Sequence, residues 1–98
     1  MPLKYSKEFL KHYQKRIFPN KSLVKRFDKR LEFFLTNPKD PTLKDHKLIG
    51  AKRYLRAFSV TGDIRVVYYI KGDEIKLVDI GTHNQVYWQQ NLGLDKAL

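Results

Sequence analysis

Residues Tyr54–Tyr87, YLRAFSVTGDIRVVYYIKGDEIKLVDIGTHNQVY, read as three consecutive antiparallel strands ending in a short polar tip. Ile64–Ile70 is rich in β-branched and aromatic residues, which suit a pleated, half-buried surface. Gly72-Asp73 makes a two-residue hairpin turn, glycine supplying the positive φ that primed turns need. Glu74–Ile80 is the return strand, and Thr61-Gly62-Asp63 divides the first two strands in the same way. With Gly72-Asp73 as the loop, Ile70 faces Ile75 and Tyr68 faces Leu77 on an apolar face. On the other face Tyr69 meets Lys76, Val67 meets Val78 and Arg65 meets Ile80, because side chains alternate with period two. Asp79 falls opposite Val66 on the apolar face, where this register gives it no partner. A three-residue loop at Thr61–Asp63 sets Ser59 beside Arg65 and Arg56 opposite Tyr68. An arginine, a histidine and a terminal tyrosine then converge on one sheet edge, where the chain leaves as Gly81-Thr82-His83.

The N-terminal third reads as helix. Leu3–Tyr5 is a short strand candidate, and Ser6 is a good N-cap for a helix from Lys7 to about Ile17. Its apolar residues Phe9, Leu10, Tyr13 and Ile17 form an amphipathic stripe. Pro19 disfavours helical geometry at Phe18, and Asn20 caps a second helix reaching about Thr36, where Asn37-Pro38 ends it. Leu23, Val24, Phe27, Leu31, Phe34 and Leu35 point inward. The expected architecture is α+β: an N-terminal two-helix hairpin packed on one face of a small, mostly antiparallel sheet. Phe9, Tyr13, Phe27, Leu31 and Phe34 would meet Tyr68, Ile70, Ile75 and Leu77. Residues 38–53 form a basic connection in which Leu43–Leu48 is a short strand or extended loop. Trp88–Leu98 is a C-terminal tail, either a short helix or an irregular segment, and Trp88 suggests that its start packs.

Ninety-eight residues allow one domain, 1–98, with one modest core. The chain has no cysteine, hence no disulfide framework and no cysteine zinc site. Three histidines without motif spacing argue against a metal site, and no cofactor is expected. No apolar run approaches the roughly 20 residues that span a bilayer. The N-terminus lacks the apolar stretch of a signal peptide, so a cytoplasmic protein is expected. Twenty Lys/Arg against ten Asp/Glu give a net charge of +10. Residues 1–36 hold ten basic and three acidic side chains, and residues 37–98 hold ten and seven. Such a field draws polyanions: nucleic acid, an acidic protein or an anionic membrane. The apolar helix faces are needed to cover the sheet, which argues against a membrane role.

Two basic helices, Leu43-Lys-Asp-His46-Lys-Leu48, Arg56, Gly62-Asp63, Ile64-Arg65-Val-Val-Tyr68 and Gly81-Thr-His83-Asn-Gln-Val-Tyr87 together resemble the RelE/ParE toxin superfamily. They are most similar to the YafQ-like ribonuclease toxins of bacterial type II toxin–antitoxin systems. The likeness covers residues 2–87 and implies a RelE-like fold. It also implies a ribosome-dependent, metal-independent mRNA endonuclease acting in the ribosomal A site and neutralised by a cognate antitoxin. In YafQ-like enzymes, residues matching His46, Asp63, His83 and Tyr87 belong to the active site, and in the RelE branch so does an arginine matching Arg65. Ser59 departs from a pattern that usually has histidine there, which bears on the identity of the general base. The alternative is a ParE-like toxin that inhibits DNA gyrase without cleaving RNA, a fold-sharing relative with no need of proton-transfer groups. A plain basic nucleic-acid-binding module is a third reading; no RNP aromatic pattern or helix-turn-helix spacing supports it.

Metal-free RNA cleavage needs a base for the ribose 2′ proton, a cation for phosphorane charge and an acid for the leaving 5′ oxygen. Histidine suits both proton transfers, its unperturbed pKa being about 6.5. Arginine forks onto phosphate oxygens and stays charged. On this scheme His83 is the acid, His46 the base with Asp63 assisting, and Arg65 the phosphate clamp. Lys47 and Arg56 add to the clamp, Ser59 lies beside it, and Tyr87 stacks on a splayed base. His12, among Lys11, Lys15 and Arg16 on a helix, reads as a surface residue. A structural role for Arg65 would be pairing with Asp63 or Asp79.

Overall fold

The computed structural model describes residues 2–48 and 54–87. The expected tail from Trp88 and the end of the basic connection, 49–53, lie outside them. The elements follow the order β1 (Leu3–Tyr5), α1 (Lys7–Arg16), α2 (Lys21–Thr36), a 3₁₀ turn (Pro41–Leu43), β2 (His46–Lys47), β3 (Arg56–Ser59), β4 (Ile64–Lys71) and β5 (Glu74–Thr82). The five strands form one sheet in the order β1-β5-β4-β3-β2. Only β1 runs parallel to its neighbour, pairing Leu3 with Ile75 and Tyr5 with Leu77. The architecture is therefore α+β with a mostly antiparallel sheet, as the sequence predicts.

Local chemistry explains the element ends. The Ser6 hydroxyl accepts the Phe9 N–H at 2.9 Å and starts α1. The Asn20 side chain accepts from Ser22 and Leu23 and starts α2. Each cap satisfies amide donors that a helix start leaves over, worth about 1 kcal/mol. Gly72 takes φ 62° in the predicted two-residue turn, with Lys71 paired to Glu74.

The helices cover one face of the sheet. Phe9, Ile17, Phe27 and Phe34 pack with Phe58, Val66, Tyr68, Ile75, Leu77 and Ile80, and Tyr13 and Leu31 join at the margin. Phe34 stacks on Phe58 at 4.5 Å between ring centres and presents an edge to Tyr68. Burying a side chain of this size contributes about 1.5–3 kcal/mol. Ile70, expected in this core, is 51% exposed, although its cross-strand partner Ile75 is buried there. The opposite face carries a second, smaller cluster: Leu55, Ala57, Val67 and Val86, with Leu48, Tyr69 and Val78 against it.

The β4–β5 register departs from the sequence expectation halfway along. Tyr68 faces Leu77 as predicted, but Val67 then faces Asp79, Val66 faces Ile80 and Arg65 faces Gly81. Val78 is the additional residue of a β-bulge. Both Asp79 and Ile80 consequently lie toward α1. The aspartate among apolar residues finds its partners on α1. Asp79 is fully buried and bonded at 2.5 Å to Nδ1 of His12, and Arg16 lies 3.8 Å away. His12 is thus a buried partner of Asp79, 8% exposed, and not a surface residue. Nearby backbone groups are satisfied by side chains: Ser6 Oγ donates to the Val78 carbonyl, Arg16 to the Ile80 carbonyl, and Asp79 accepts the Ile80 N–H.

Candidate active site

A cleft opens at the end of the second apolar cluster, on the sheet face away from the helices. Leu48, Ala57 and Val86 line it with His46, Lys47, Arg65, His83 and Tyr87. Three chain segments distant in sequence deliver these groups. β4 brings Arg65, whose neighbours Ile64 and Val66 turn to the core on the other face. The edge strand β2 brings His46, opposite Ala57. The last described residues, 83–87, are helical and bring His83 and Tyr87, four residues apart on one helix face.

That helical turn is started by a capping box. The Thr82 hydroxyl accepts the Gln85 N–H at 3.1 Å, and the Gln85 side-chain oxygen accepts the Thr82 N–H at 2.8 Å. The pattern Thr-x-x-Gln is legible in the sequence, where the segment reads only as a polar tip. The His83 N–H also donates to the Asp63 carbonyl at 2.9 Å, tying the β3–β4 turn to the histidine. The rings of His83 and Tyr87 stack, 5.4 Å apart and 15° from parallel. Gly81 lets two side chains approach: a Cβ there would meet Arg16 Nη1 at 2.6 Å and Gln85 Oε1 at 2.7 Å.

Arg65 Nη1 donates to the carbonyls of Thr61 and Gly62 at 3.1 and 3.0 Å. These bonds aim the guanidinium; neither Asp63 nor Asp79 is its partner. His46 Nδ1 lies 2.9 Å from the Lys44 carbonyl. A carbonyl only accepts, so Nδ1 carries the hydrogen and Nε2 of the neutral ring is left as an acceptor.

Three of the residues singled out from sequence lie elsewhere. Arg56 shares the helix-side face with Tyr68, its cross-strand partner, and donates through Nε to Asp45 at 2.8 Å. It takes no part in lining the cleft, because period two along β3 turns it away. Ser59 pairs with Arg65 as predicted but is 4% exposed, with its hydroxyl unbonded. Asp63 is exposed in the turn and reaches the site through its backbone carbonyl. Tyr68 gives its hydroxyl hydrogen to the second Asp45 oxygen. Burial first, and then the Asp45 carboxylate, raise this phenol above its ordinary pKa.

As a cation site the cleft is poor. Two imidazoles stand beside Lys47 and Arg65, whose charge repels a metal ion. Among the described residues no group of three or more His, Cys, Asp or Glu gathers. Nor is any described helix long and apolar enough to cross a membrane.

A family model described as the bacterial toxin of the type II toxin–antitoxin system, YafQ, matches residues 1–87. Among solved structures, YafQ from E. coli strain BL21(DE3) superposes with a TM-score of 0.74 at 20% identity, covering 87% of this chain and 96% of that one. A metal-bound toxin from Helicobacter pylori matches at 28% identity and TM-score 0.74, covering 88% and 98%. The E. coli DinJ–YafQ toxin–antitoxin complex matches at 20% identity and TM-score 0.73, covering 87% and 94%. No curated protein sequence matches the chain.

Proposed function

Because the chain belongs to the YafQ toxins of bacterial type II toxin–antitoxin systems, within the RelE/ParE superfamily, we propose that it is a ribosome-dependent, metal-independent mRNA endonuclease. The observation that carries this reading is the meeting of two imidazoles, a guanidinium and an aromatic ring in one cleft. Gyrase inhibition requires no such set of proton-transfer groups.

In the proposed reaction Nε2 of His46 takes the proton of a ribose 2′-OH, and the 2′ oxygen attacks the adjacent phosphorus. Arg65, carrying five N–H donors of which the turn carbonyls engage one nitrogen, bonds the phosphate oxygens as charge grows. His83 gives a proton to the 5′ oxygen as the P–O5′ bond breaks. The products are a 2′,3′-cyclic phosphate and a 5′-OH, and the two histidines exchange protonation states. Lys47 adds positive charge at the cleft. Tyr87 stacks on His83, which orients the imidazole, and its 43% exposure leaves surface for a nucleobase. Asp63 assists by holding the His83 amide. Arg56 supports the segment before β2 through Asp45.

Association of E. coli YafQ with DinJ supports a cognate antitoxin as partner here as well, one acidic enough to match a charge of +10. The test is induction of the protein and of His83→Ala, with primer extension on cellular messages and identification of the cleaved ends. Cuts within codons that end in a cyclic phosphate and vanish in the variant are expected. Intact messages with gyrase-linked DNA breaks, or 3′-OH and 5′-phosphate ends, would overturn the proposal.

A further inference from the structure

The cleft histidine His46 stands on the shortest strand of the sheet, two residues at its edge. Two backbone pairs alone hold it weakly. The neighbouring side chain, Asp45, is 13% exposed, and both of its oxygens are engaged on the helix side of the sheet. One oxygen receives Arg56 Nε from β3 and the other the Tyr68 hydroxyl from β4. The residue before it, Lys44, takes the left-handed conformation, φ 50° and ψ 37°, the only non-glycine with positive φ among the described residues. That conformation is costly for a residue with a Cβ, and such strain persists where the surroundings impose it. Here it turns the Lys44 carbonyl to Nδ1 of His46.

We propose that Asp45 is a positioning residue. Its bonds to Arg56 and Tyr68 clamp the strained Lys44–His46 segment to the sheet and so hold His46 in the Nδ1–H tautomer, with Nε2 free to accept a proton. The inference rests on the reading of His46 as the base. It assigns to Arg56 a role behind the cleft and gives a purpose to the strained lysine, whose backbone matters and whose charge does not.

The decisive measurement is the ring tautomer of His46, read from two-bond ¹⁵N–¹H correlations in the full chain, alongside mRNA cleavage on ribosomes. The wild type is expected in the Nδ1–H form. Lys44→Gly retains that form, because glycine adopts positive φ freely, and Lys44→Val loses it. Asp45→Ala shifts the ring toward Nε2–H and lowers kcat by about 10- to 100-fold, the scale of a displaced catalytic group, with little change in KM. Tyr68→Phe, which keeps the buried ring and removes one of the two bonds, does the same to a smaller degree. A wild-type ring in the Nε2–H form overturns the proposal. So does retention of both tautomer and rate in Asp45→Ala, or in Tyr68→Phe should Asp45→Ala not fold. A tautomer that responds as stated, with cleavage unchanged throughout, leaves the clamp standing and removes His46 from the chemistry.

Discussion

Two histidines in the cleft are held by backbone bonds of different kinds. His46 is fixed through its ring, by the Lys44 carbonyl, and His83 through its amide, by the Asp63 carbonyl. In the proposed reaction the difference suits an acceptor whose tautomer matters and a donor whose placement matters. Replacing His83 by alanine should lower cleavage by about 10²–10⁴, the range for removing a general acid, with the fold intact by circular dichroism. An unchanged rate would take His83 out of the mechanism. The phenol of Tyr68 is raised above its ordinary pKa by burial and by Asp45. Its neutral form is favoured in the folded protein, so this contribution is present below pH about 10 and is lost as pH rises toward the folded value. Urea midpoints measured from pH 8 to 11 should fall more steeply for the wild type than for Tyr68→Phe. Near neutrality the variant should be less stable by about 1.5–3 kcal/mol, the scale of a bond to a charged acceptor.

At the scale of elements, the bulge in β5 and the capping box after it set where the cleft lies. The bulge carries Arg65 from Ile80 to Gly81 as its cross-strand partner, and α1 supports the irregular backbone through Ser6, His12 and Arg16. Asp79→Ala leaves a buried histidine and a half-buried arginine without their carboxylate. It should cost about 3 kcal/mol in denaturant unfolding, as broken buried pairs do. A loss under 1 kcal/mol would show that the pair is dispensable. Thr82→Ala removes one half of the capping box and should cost only about 1 kcal/mol. Its cleavage should fall further than that stability loss predicts, because the turn carrying His83 and Tyr87 frays. Cleavage at the wild-type rate would mean that the turn is held by other contacts.

For the molecule as a whole, the division of labour lies between the two faces of the sheet. One face is occupied by the helices and the larger core, and the other holds the smaller cluster with the cleft at its edge. A charge of +10 spread over so small a protein extends well beyond the cleft. On the proposed function, ribosome binding should weaken about tenfold or more between 50 and 200 mM monovalent salt, as contacts to phosphates release counterions. Sedimentation with ribosomes at graded salt measures this, and an affinity that ignores salt would locate the recognition in apolar contacts instead.

Much of the fold was legible because it is local. Ser6 and Asn20 cap their helices through atoms two or three residues away, Gly72 makes its turn within four residues, and period two alone sets Arg65 on the other face of the strand from Tyr68. The motif around His46, Arg65, His83 and Tyr87 named the residues that the cleft gathers. Contacts between distant segments were decided by packing alone. The parallel docking of β1 on β5, the bulge at Val78, the burial of His12 beside Asp79 and the capture of Arg56 by Asp45 each join residues that only the folded chain brings together. A buried carboxylate must find a partner wherever the fold presents one, since leaving it unpaired costs several kcal/mol. Spacing along the chain carries no record of which helix will supply that partner, and so the supports of the cleft became visible only in three dimensions.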